Sequence, residues 1–515
     1  LIQGQGAEVV HLGHNRAVED VVRAALQEDA DGIAVSSYQG GHVEYFKYMV
    51  DMLRERNAGH IRVFGGGGGT ITPEEIAELQ AYGVERIYHP NDGMAMGLVA
   101  MIEDLVRRAA AARTGASAPI AGADEATMPG LEDEIALGRM LSALEDGVFS
   151  EAELAMLRKQ WARPVESRGG DAPIVPVIGL TGTGGAGKSS VTDELLNRFL
   201  QAFPQMRIAV ISVDPTRRRT GGALLGDRIR MNSLRSPRVF MRSMATRRQH
   251  AATNLVLRDS IAFLKGQGYD LVMVETAGIG QSDSEIVDLV DFPVYVMTSD
   301  FGAPSQLEKI DMVDYAELIV LNKFDKRGAE DALRDVRKQW KRNRVAFKMA
   351  DEDVPVYPTI ASQFNDPGVT WMFANLCRLL REKVLEKAPE TPVGGPKGPK
   401  LAEGSVASGL SVLPHVDFKP HLDTSLKEPR ATVLIPGNRT RYLAEIAEQG
   451  RMINGSIERQ AEAADRAQSY WQSLRDLGDA ALPKALGVYD DLDVSPSWLG
   501  GHAAASNDAS RTTLP

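Results

Sequence analysis

Residues 177–190 read Val177-Ile-Gly-Leu-Thr-Gly-Thr-Gly-Gly-Ala-Gly-Lys-Ser-Ser190. An apolar run (Val177 to Leu180), a glycine-rich turn and a helical stretch (Ser190 to Leu200) follow one another. Gly182 to Ser189 match G-x-x-x-x-G-K-[ST] in the strand–turn–helix setting that gives the motif its meaning. Glycines let the backbone close around a phosphate. Successive N–H groups, here those of Gly184, Gly185, Ala186 and Gly187, form an anion nest. The N-terminus of the following helix, at Lys188, Ser189 and Ser190, adds the positive end of its dipole. Lys188 is placed to reach the β- and γ-phosphates, and the Ser189 hydroxyl to ligate Mg²⁺. The spacing predicts a parallel α/β sheet with a nucleotide at its carboxyl edge.

Working outward, Val320-Leu-Asn322-Lys323-Phe-Asp325 follows another apolar run, about 135 residues past the glycine loop. An aspartate there accepts both the N1–H and the 2-amino hydrogens of guanine. Adenine lacks that donor pair and leaves the acid unmatched. Asn322 and Lys323 are expected to frame the ring. Two more strands end in acids: Ile208-Ala-Val-Ile-Ser-Val213-Asp214, and Tyr269-Asp-Leu-Val-Met-Val-Glu275-Thr-Ala-Gly278. Carboxylates at those ends hold Mg²⁺, mostly through water, and the Gly278 N–H is placed to sense the γ-phosphate. Most GTPases have D-x-x-G where this chain has E-x-x-G. Between them, Asp214-Pro-Thr-Arg-Arg-Arg-Thr-Gly-Gly-Ala-Leu-Leu-Gly-Asp227 is glycine-rich and basic, a mobile-loop candidate. Asp227 has two open readings, a second metal- or water-positioning acid and a solvated loop acid. Arg217, Arg218 and Arg219 neutralise phosphate, dock a partner, or are merely solvated.

The rest of the chain bounds the answer. Its 515 residues suggest three or four units. Hydrophobic residues make up 43%, enough for more than one core, and the net charge of −11 speaks against bulk nucleic-acid binding. Cys377 is the single cysteine, so there is no internal disulfide and no cysteine-rich zinc site, which fits a reducing, cytoplasmic setting. No apolar run is long enough to cross a bilayer. Nothing at the N-terminus reads as a secretory signal. The first residue is Leu1 rather than a methionine, and a fragment is expected.

Residues 7–110 alternate apolar runs with helical stretches. The runs are Ala7 to Leu12, Gly32 to Ser36, Ile61 to Phe64 and Arg86 to Tyr88. That alternation predicts a second doubly wound parallel sheet. The turns to inspect are Ser36–Gly41 and Gly65–Thr70. A helix is expected from about Gly93 to Ala112, and another over Leu131 to Leu157, interrupted at Gly138 and Gly147. Residues 391–430 read as a tether, Tyr442 to Leu477 as a charged helix, and the end of the chain as disordered. The division expected is 1–113, a helical linker 114–173, a P-loop domain 174–390, an extended and helical linker 391–493, and a tail 494–515.

These motifs carry a resemblance. GLTGTGGAGKSS, SVDPT, GGALLGDRIRM, VETAGIGQSD and NKFD make residues 174–390 resemble the MeaB and ArgK-like GTPases that chaperone cobalamin enzymes. The N-terminal part resembles the cobalamin-binding domain of methylmalonyl-CoA mutase relatives. Ser36, Ser37 and Tyr38 fall on the S-x-L turn that holds the nucleotide loop, with Tyr38 in place of leucine, and Gly65 and Gly66 on the turn beside the dimethylbenzimidazole tail. In this order the regions look like the fused isobutyryl-CoA mutase family, from residue 1 to about 493.

The resemblance implies two Rossmann/flavodoxin-like and P-loop domains, GTP or GDP with Mg²⁺, and adenosylcobalamin. It implies that GTP hydrolysis gates cofactor loading and quality control for the isomerisation of isobutyryl-CoA to n-butyryl-CoA. It assigns Lys188, Ser189, Asp214, Glu275, Asn322 and Asp325 their motif roles, places Asp227 in a matched stretch, and brings Ser362 toward guanine. Two departures stand out. The D-x-H-x-x-G histidine that ligates cobalt is absent, and His11, His14 and His42 do not fit its spacing, so weakened cobalamin binding is expected. No (β/α)₈ mutase barrel follows residue 493, so the barrel is expected as a partner, with a homodimer, and without nucleic acid or membrane. Two rival readings are a non-catalytic, nucleotide-switched assembly module for a separate mutase, and a flavodoxin-like first domain holding another ligand.

Overall fold

The computed structural model describes residues 1–116, 130–162, 175–215, 222–246, 250–276, 286–302, 304–387, 416–429 and 442–482. Residues 1–431 form one compact unit and 432–515 a second.

The first hundred residues supply β1 (Val9–Val10), α1 (Val18–Gln27), β2 (Gly32–Ser36), α2 (His42–Glu55), β3 (Arg62–Gly66), α3 (Pro73–Tyr82), β4 (Arg86–Tyr88), α4 (Pro90–Met96) and α5 (Leu98–Ala116). β2, β3 and β4 form a parallel sheet in that order. Val22, Phe46, Met49, Leu53 and Leu79 from the helices pack on Ile33, Val63 and Ile87. Helix α3 starts where the sequence says it should. Thr72 caps it, Glu75 completes a capping box, and Pro73 takes the first turn, where no N–H is needed. The expected helix from Gly93 is instead two helices, parted at Gly97.

The larger part begins with α6 (Glu134–Glu145) and α7 (Glu151–Trp161). It continues with β5 (Val177–Gly182), α8 (Lys188–Ala202), β6 (Ile208–Pro215), β7 (Leu224–Leu225), β8 (Val239–Thr246), α9 (His250–Gln267), β9 (Leu271–Thr276) and β10 (Phe292–Met297). Then come α10 (Pro304–Leu307), α11 (Met312–Tyr315), β11 (Leu318–Asn322), α12 (Ala329–Asn343), β12 (Val356–Thr359) and α13 (Pro367–Lys387). Seven strands pair in the order β12-β11-β10-β5-β9-β6-β8, and every pairing is parallel. Strands β5, β10 and β11 are buried along their whole length. A sheet covered on both faces needs such unbroken apolar runs. One face packs on α8 and α13 through Leu195, Phe199, Phe373 and Leu380. The other packs on α6, α7 and α9 through Leu141, Trp161 and Phe263.

Three expectations change. The stretch Ala7 to Leu12 yields only the two-residue β1, and it pairs with β7 rather than with the sheet of β2–β4. Gly138 does not interrupt its helix. It is buried within α6, and a Cβ there would meet the Leu26 carbonyl oxygen at 2.7 Å, so glycine permits helix-to-backbone contact. Gly147 does separate α6 from α7, with φ +65°. Of the expected tether, residues 416–429 are described, and Val416 and Phe418 are buried beside α8 and α13. The second unit contributes α14 (Tyr442–Asp476), 35 residues long. Among the described residues no helix is long and apolar enough to cross a membrane.

Candidate functional site

Strand β5 delivers the glycine loop and α8 receives it. Gly182 has φ +149° and Gly187 φ +96°. A Cβ on Gly182 would fall on the Val296 carbonyl, and one on Gly187 on the Asn322 amide nitrogen. Both positions therefore require glycine for space as well as for backbone. Gly184, Gly185 and Ala186 form the turn between them. Lys188 is buried, and its Nζ donates to the carbonyls of Gly182 at 3.1 Å and Thr183 at 3.2 Å. The ammonium therefore lies across the mouth of the loop. The Thr183 hydroxyl is buried with no hydrogen-bond partner among the described residues.

Ser189 Oγ donates within reach of two acids, Glu275 Oε1 at 2.7 Å and Asp227 Oδ1 at 3.1 Å. Ser190 follows in the first turn of α8. Glu275 lies in the last two residues of β9 and is 2% exposed. Burial, then the charge of Asp227, lifts its carboxyl to about 7. Asp214, at the end of β6, accepts from the Gly226 N–H at 3.3 Å. Burial, then Asp227, lifts its carboxyl to about 6. At both positions burial and a neighbouring like charge disfavour the ionised carboxyl. Among the described residues, no three His, Cys, Asp or Glu side chains make a metal cage by themselves. A hydroxyl backed by acids, beside a phosphate nest, instead suits Mg²⁺, which keeps waters and takes phosphate oxygens. Gly278 and Arg217, Arg218 and Arg219 lie outside the described residues.

On the base side, Asn322 is 2% exposed and acts as a lock. Its Nδ2 donates to the Ala186 carbonyl at 2.8 Å. Its Oδ1 accepts from Thr359 Oγ1 at 3.1 Å and the Ala361 N–H at 3.0 Å. Lys323 has φ +57°, and its Nζ donates to the Gly185 carbonyl at 2.7 Å. Asp325 and Ser362 are exposed at the same edge. Sequence reading missed two hydroxyls. Thr192 Oγ1 contacts Glu275 Oε2 at 2.8 Å, and Ser212 Oγ contacts Asp227 Oδ2. Both could have been found: Thr192 lies one turn beyond Lys188 and Ser189 on α8, and Ser212 two residues before Asp214 on β6.

At the smaller sheet, Ser36 lies opposite Gly66 in the β2–β3 ladder, and Gly65 lies between Val35 and Ile87. The Ser37 N–H donates to the Gly66 carbonyl at 2.8 Å. Tyr38 is 70% exposed and its ring lies over Gly68, where a Cβ would meet it at 2.6 Å. The two expected turns thus meet at one carboxyl edge. His42 starts α2, buried, with Nδ1 2.8 Å from the Gln39 carbonyl and Nε2 3.2 Å from Glu75. His11 and His14 are exposed.

Residues 150–372 match the family described as methylmalonyl Co-A mutase-associated GTPase MeaB, and residues 1–99 match the B12 binding domain. The chain is 46% identical over 479 residues to the fused isobutyryl-CoA mutase of Geobacillus kaustophilus, covering 90% of this chain and 40% of that protein. It is 48% identical over 474 residues to that of Cupriavidus metallidurans, covering 91% and 39%. GTPase ArgK of Escherichia coli matches at 37% over 155 residues, 29% of this chain and 44% of that protein. The chain thus spans about two fifths of the length of the fused mutases it matches. Residues 1–99 are thus similar to B12-binding domains and residues 150–372 to the MeaB GTPases, and most of the chain is similar to one part of the fused isobutyryl-CoA mutases.

Proposed function

We propose that this chain binds and hydrolyses GTP with Mg²⁺ and couples that cycle to adenosylcobalamin held at the smaller sheet. The observation that carries the reading is the Gly182–Ser189 loop. It joins a nest of backbone N–H groups, an unpartnered buried Thr183 hydroxyl, a buried Lys188, and a Ser189 hydroxyl backed by Asp227 and Glu275. These are the donors a triphosphate needs.

The chain's own residues supply position and charge, which is most of what phosphoryl transfer asks of a protein. Lys188 exchanges its two carbonyl partners for phosphate oxygens. Asn322 and Lys323 fix the loop against the base edge, and Asp325 and Ser362 read guanine. Bound Mg²⁺ neutralises charge on the phosphates. Asp214, Asp227 and Glu275 with Ser189 would hold the ion, and the Gly278 N–H would report the γ-phosphate. In the reading that the family resemblance implies, the cycle loads cofactor onto an acyl-CoA mutase barrel and removes damaged cofactor, within a cytoplasmic homodimer. The cobalamin contacts proposed are Ser36, Ser37, Tyr38, Gly65 and Gly66. His11, His14 and His42 do not fit the spacing of a cobalt ligand, so cofactor bound by these residues is expected to lack a histidine-ligated visible spectrum.

Phosphate release from GTP, with Lys188→Ala as control, tests the reading; equal rates reject it. Asp325→Asn is expected to move preference toward xanthine nucleotides, read by calorimetry. Tight GTP binding without turnover, even beside a mutase barrel, supports the switch-only alternative.

A further inference from the structure

The turn carrying Asp227 faces two ways. Asp227 itself meets Ser189 and Ser212 in the nucleotide site. Arg228, the next residue, is buried and reaches into the first thirty residues of the chain. Its Nε donates to Glu28 Oε1 at 2.5 Å and its Nη2 to Gln27 Oε1 at 2.9 Å. One residue on, the Ile229 carbonyl accepts from Arg16 Nη2 at 3.0 Å, and the Ile229 side chain covers Gly13. Just upstream, β7 pairs with β1, the Val9 N–H donating to Ala223 and the His11 N–H to Leu225. Segment 223–229 is thus gripped at several points by residues 9–28.

The Glu28–Arg228 pair is not explained as a source of stability. Both groups are buried, and desolvating two charges offsets most of their attraction. What such a pair fixes is register, because either partner alone is a buried, uncompensated charge. Glu28 is fully engaged: it also accepts from the N–H and hydroxyl of Ser243, with Arg242 3.9 Å away. It therefore locates Arg228 relative to β8 as well as α1. Asp227, one peptide away, inherits that location.

We propose that Glu28 and Arg228 are positioning residues for GTP hydrolysis, the B12-binding domain holding the Asp227 turn so that the cation side of the nucleotide site is completed from outside the GTPase domain. The proposal rests on the GTPase reading above. Linkage makes it reciprocal: whatever the nucleotide gains from the docked turn, docking gains from the nucleotide.

The test is phosphate release by the full chain across a Mg²⁺ titration. Glu28→Gln is expected to raise the half-saturating Mg²⁺ concentration about tenfold, the size of effect seen when an outer-shell partner is lost. GDP affinity without Mg²⁺ is expected to stay unchanged. A merely structural pair would lower the melting temperature and leave the Mg²⁺ titration alone. Glu28→Leu with Arg228→Met replaces both charges by apolar groups, removes the lone-charge problem, and is expected to show the same rise. Arg16→Met, at a half-buried site, is expected to show a smaller rise and decides the matter where neither other variant folds. A wild-type Mg²⁺ titration in the folded double variant, or in Arg16→Met when it alone is measurable, overturns the proposal. Lys188→Ala separates the two ideas. If it is silent while the double variant behaves as wild type, only the positioning role falls; if it turns over normally, the GTPase reading falls.

Discussion

Gly187 and Gly68 both follow parallel strands, both have left-handed backbone, with φ +96° and +56°, and both face a side chain that leaves no room for a Cβ. Their neighbours differ. Gly187 faces Asn322, whose amide is held at three points by Ala186, Thr359 and Ala361. Gly68 faces Tyr38, a ring mostly in solvent. The nucleotide loop is locked by buried hydrogen bonds that leave its partners nowhere to go. The edge of the smaller sheet can adjust, and it lies in a domain whose next helices leave Met94, Leu98 and Val99 exposed. The loop of the larger sheet is fixed by its partners; the edge of the smaller sheet has room to move.

The widest gap between the two regions is expected in their cores. Phe199 is fully buried under the larger sheet, in edge-to-face contact with Phe373 at 4.8 Å. Phe199→Ala is expected to cost about 3–5 kcal/mol, read by chemical denaturation. Phe46→Ala under the smaller sheet should cost about as much if residues 1–431 unfold as one cooperative unit. A separate early transition would instead show that the smaller sheet melts alone.

The next effect belongs to the nucleotide region alone. Glu275 titrates near 7 and Asp214 near 6 in the folded chain, both above their ordinary values. The folded state therefore holds protons that the unfolded state has released. Nucleotide-free stability is fully present below the ordinary carboxylate range, falls as pH rises from about 4, and has lost its contribution once pH passes 7. The Glu275 share is roughly 3 kcal/mol. Melting temperatures across that window check it, and Glu275→Gln is expected to flatten the profile.

Gly187→Ala sharpens the comparison at the loops. It is expected to weaken GTP binding about a hundredfold, since it displaces Asn322 or the loop itself, and calorimetry reads it. Gly68→Ala should cost only about 1 kcal/mol of stability, because Tyr38 can swing aside. Equal effects at the two glycines would erase the distinction drawn between locked and adjustable edges.

Much of this was legible beforehand, for local reasons. The glycine loop, the acid-ended strands and Asn322-Lys323-Phe-Asp325 are contiguous patterns whose spacing is set by strand and helix geometry. Glu275 and Asp214 fall at the ends of mostly apolar runs, so their place at the carboxyl edge follows from the strands. What stayed hidden depends on chain folding over long separations. Nothing near Val9 announces that it pairs with Leu224, and Arg228 reads as one charge in a basic stretch until Glu28 is found beside it. Gly138 reads as a helix breaker because its reason, the Leu26 carbonyl, lies over a hundred residues away. Asn322 was expected to frame a purine, and its three protein partners show it bracing the loop as well.

The ladder between Val9–Val10 and Leu224–Leu225 joins positions some 215 apart with only two residues on each side. Closing so long a loop for so few bonds is entropically poor until both sheets already stand. The ladder therefore forms late as the chain folds and opens early, ahead of either core. Opening that seam alone is expected to cost little, while the acid-bearing turn stays tied by Arg228 to Glu28, so the first strand acts as an outer latch on a site more than two hundred residues downstream.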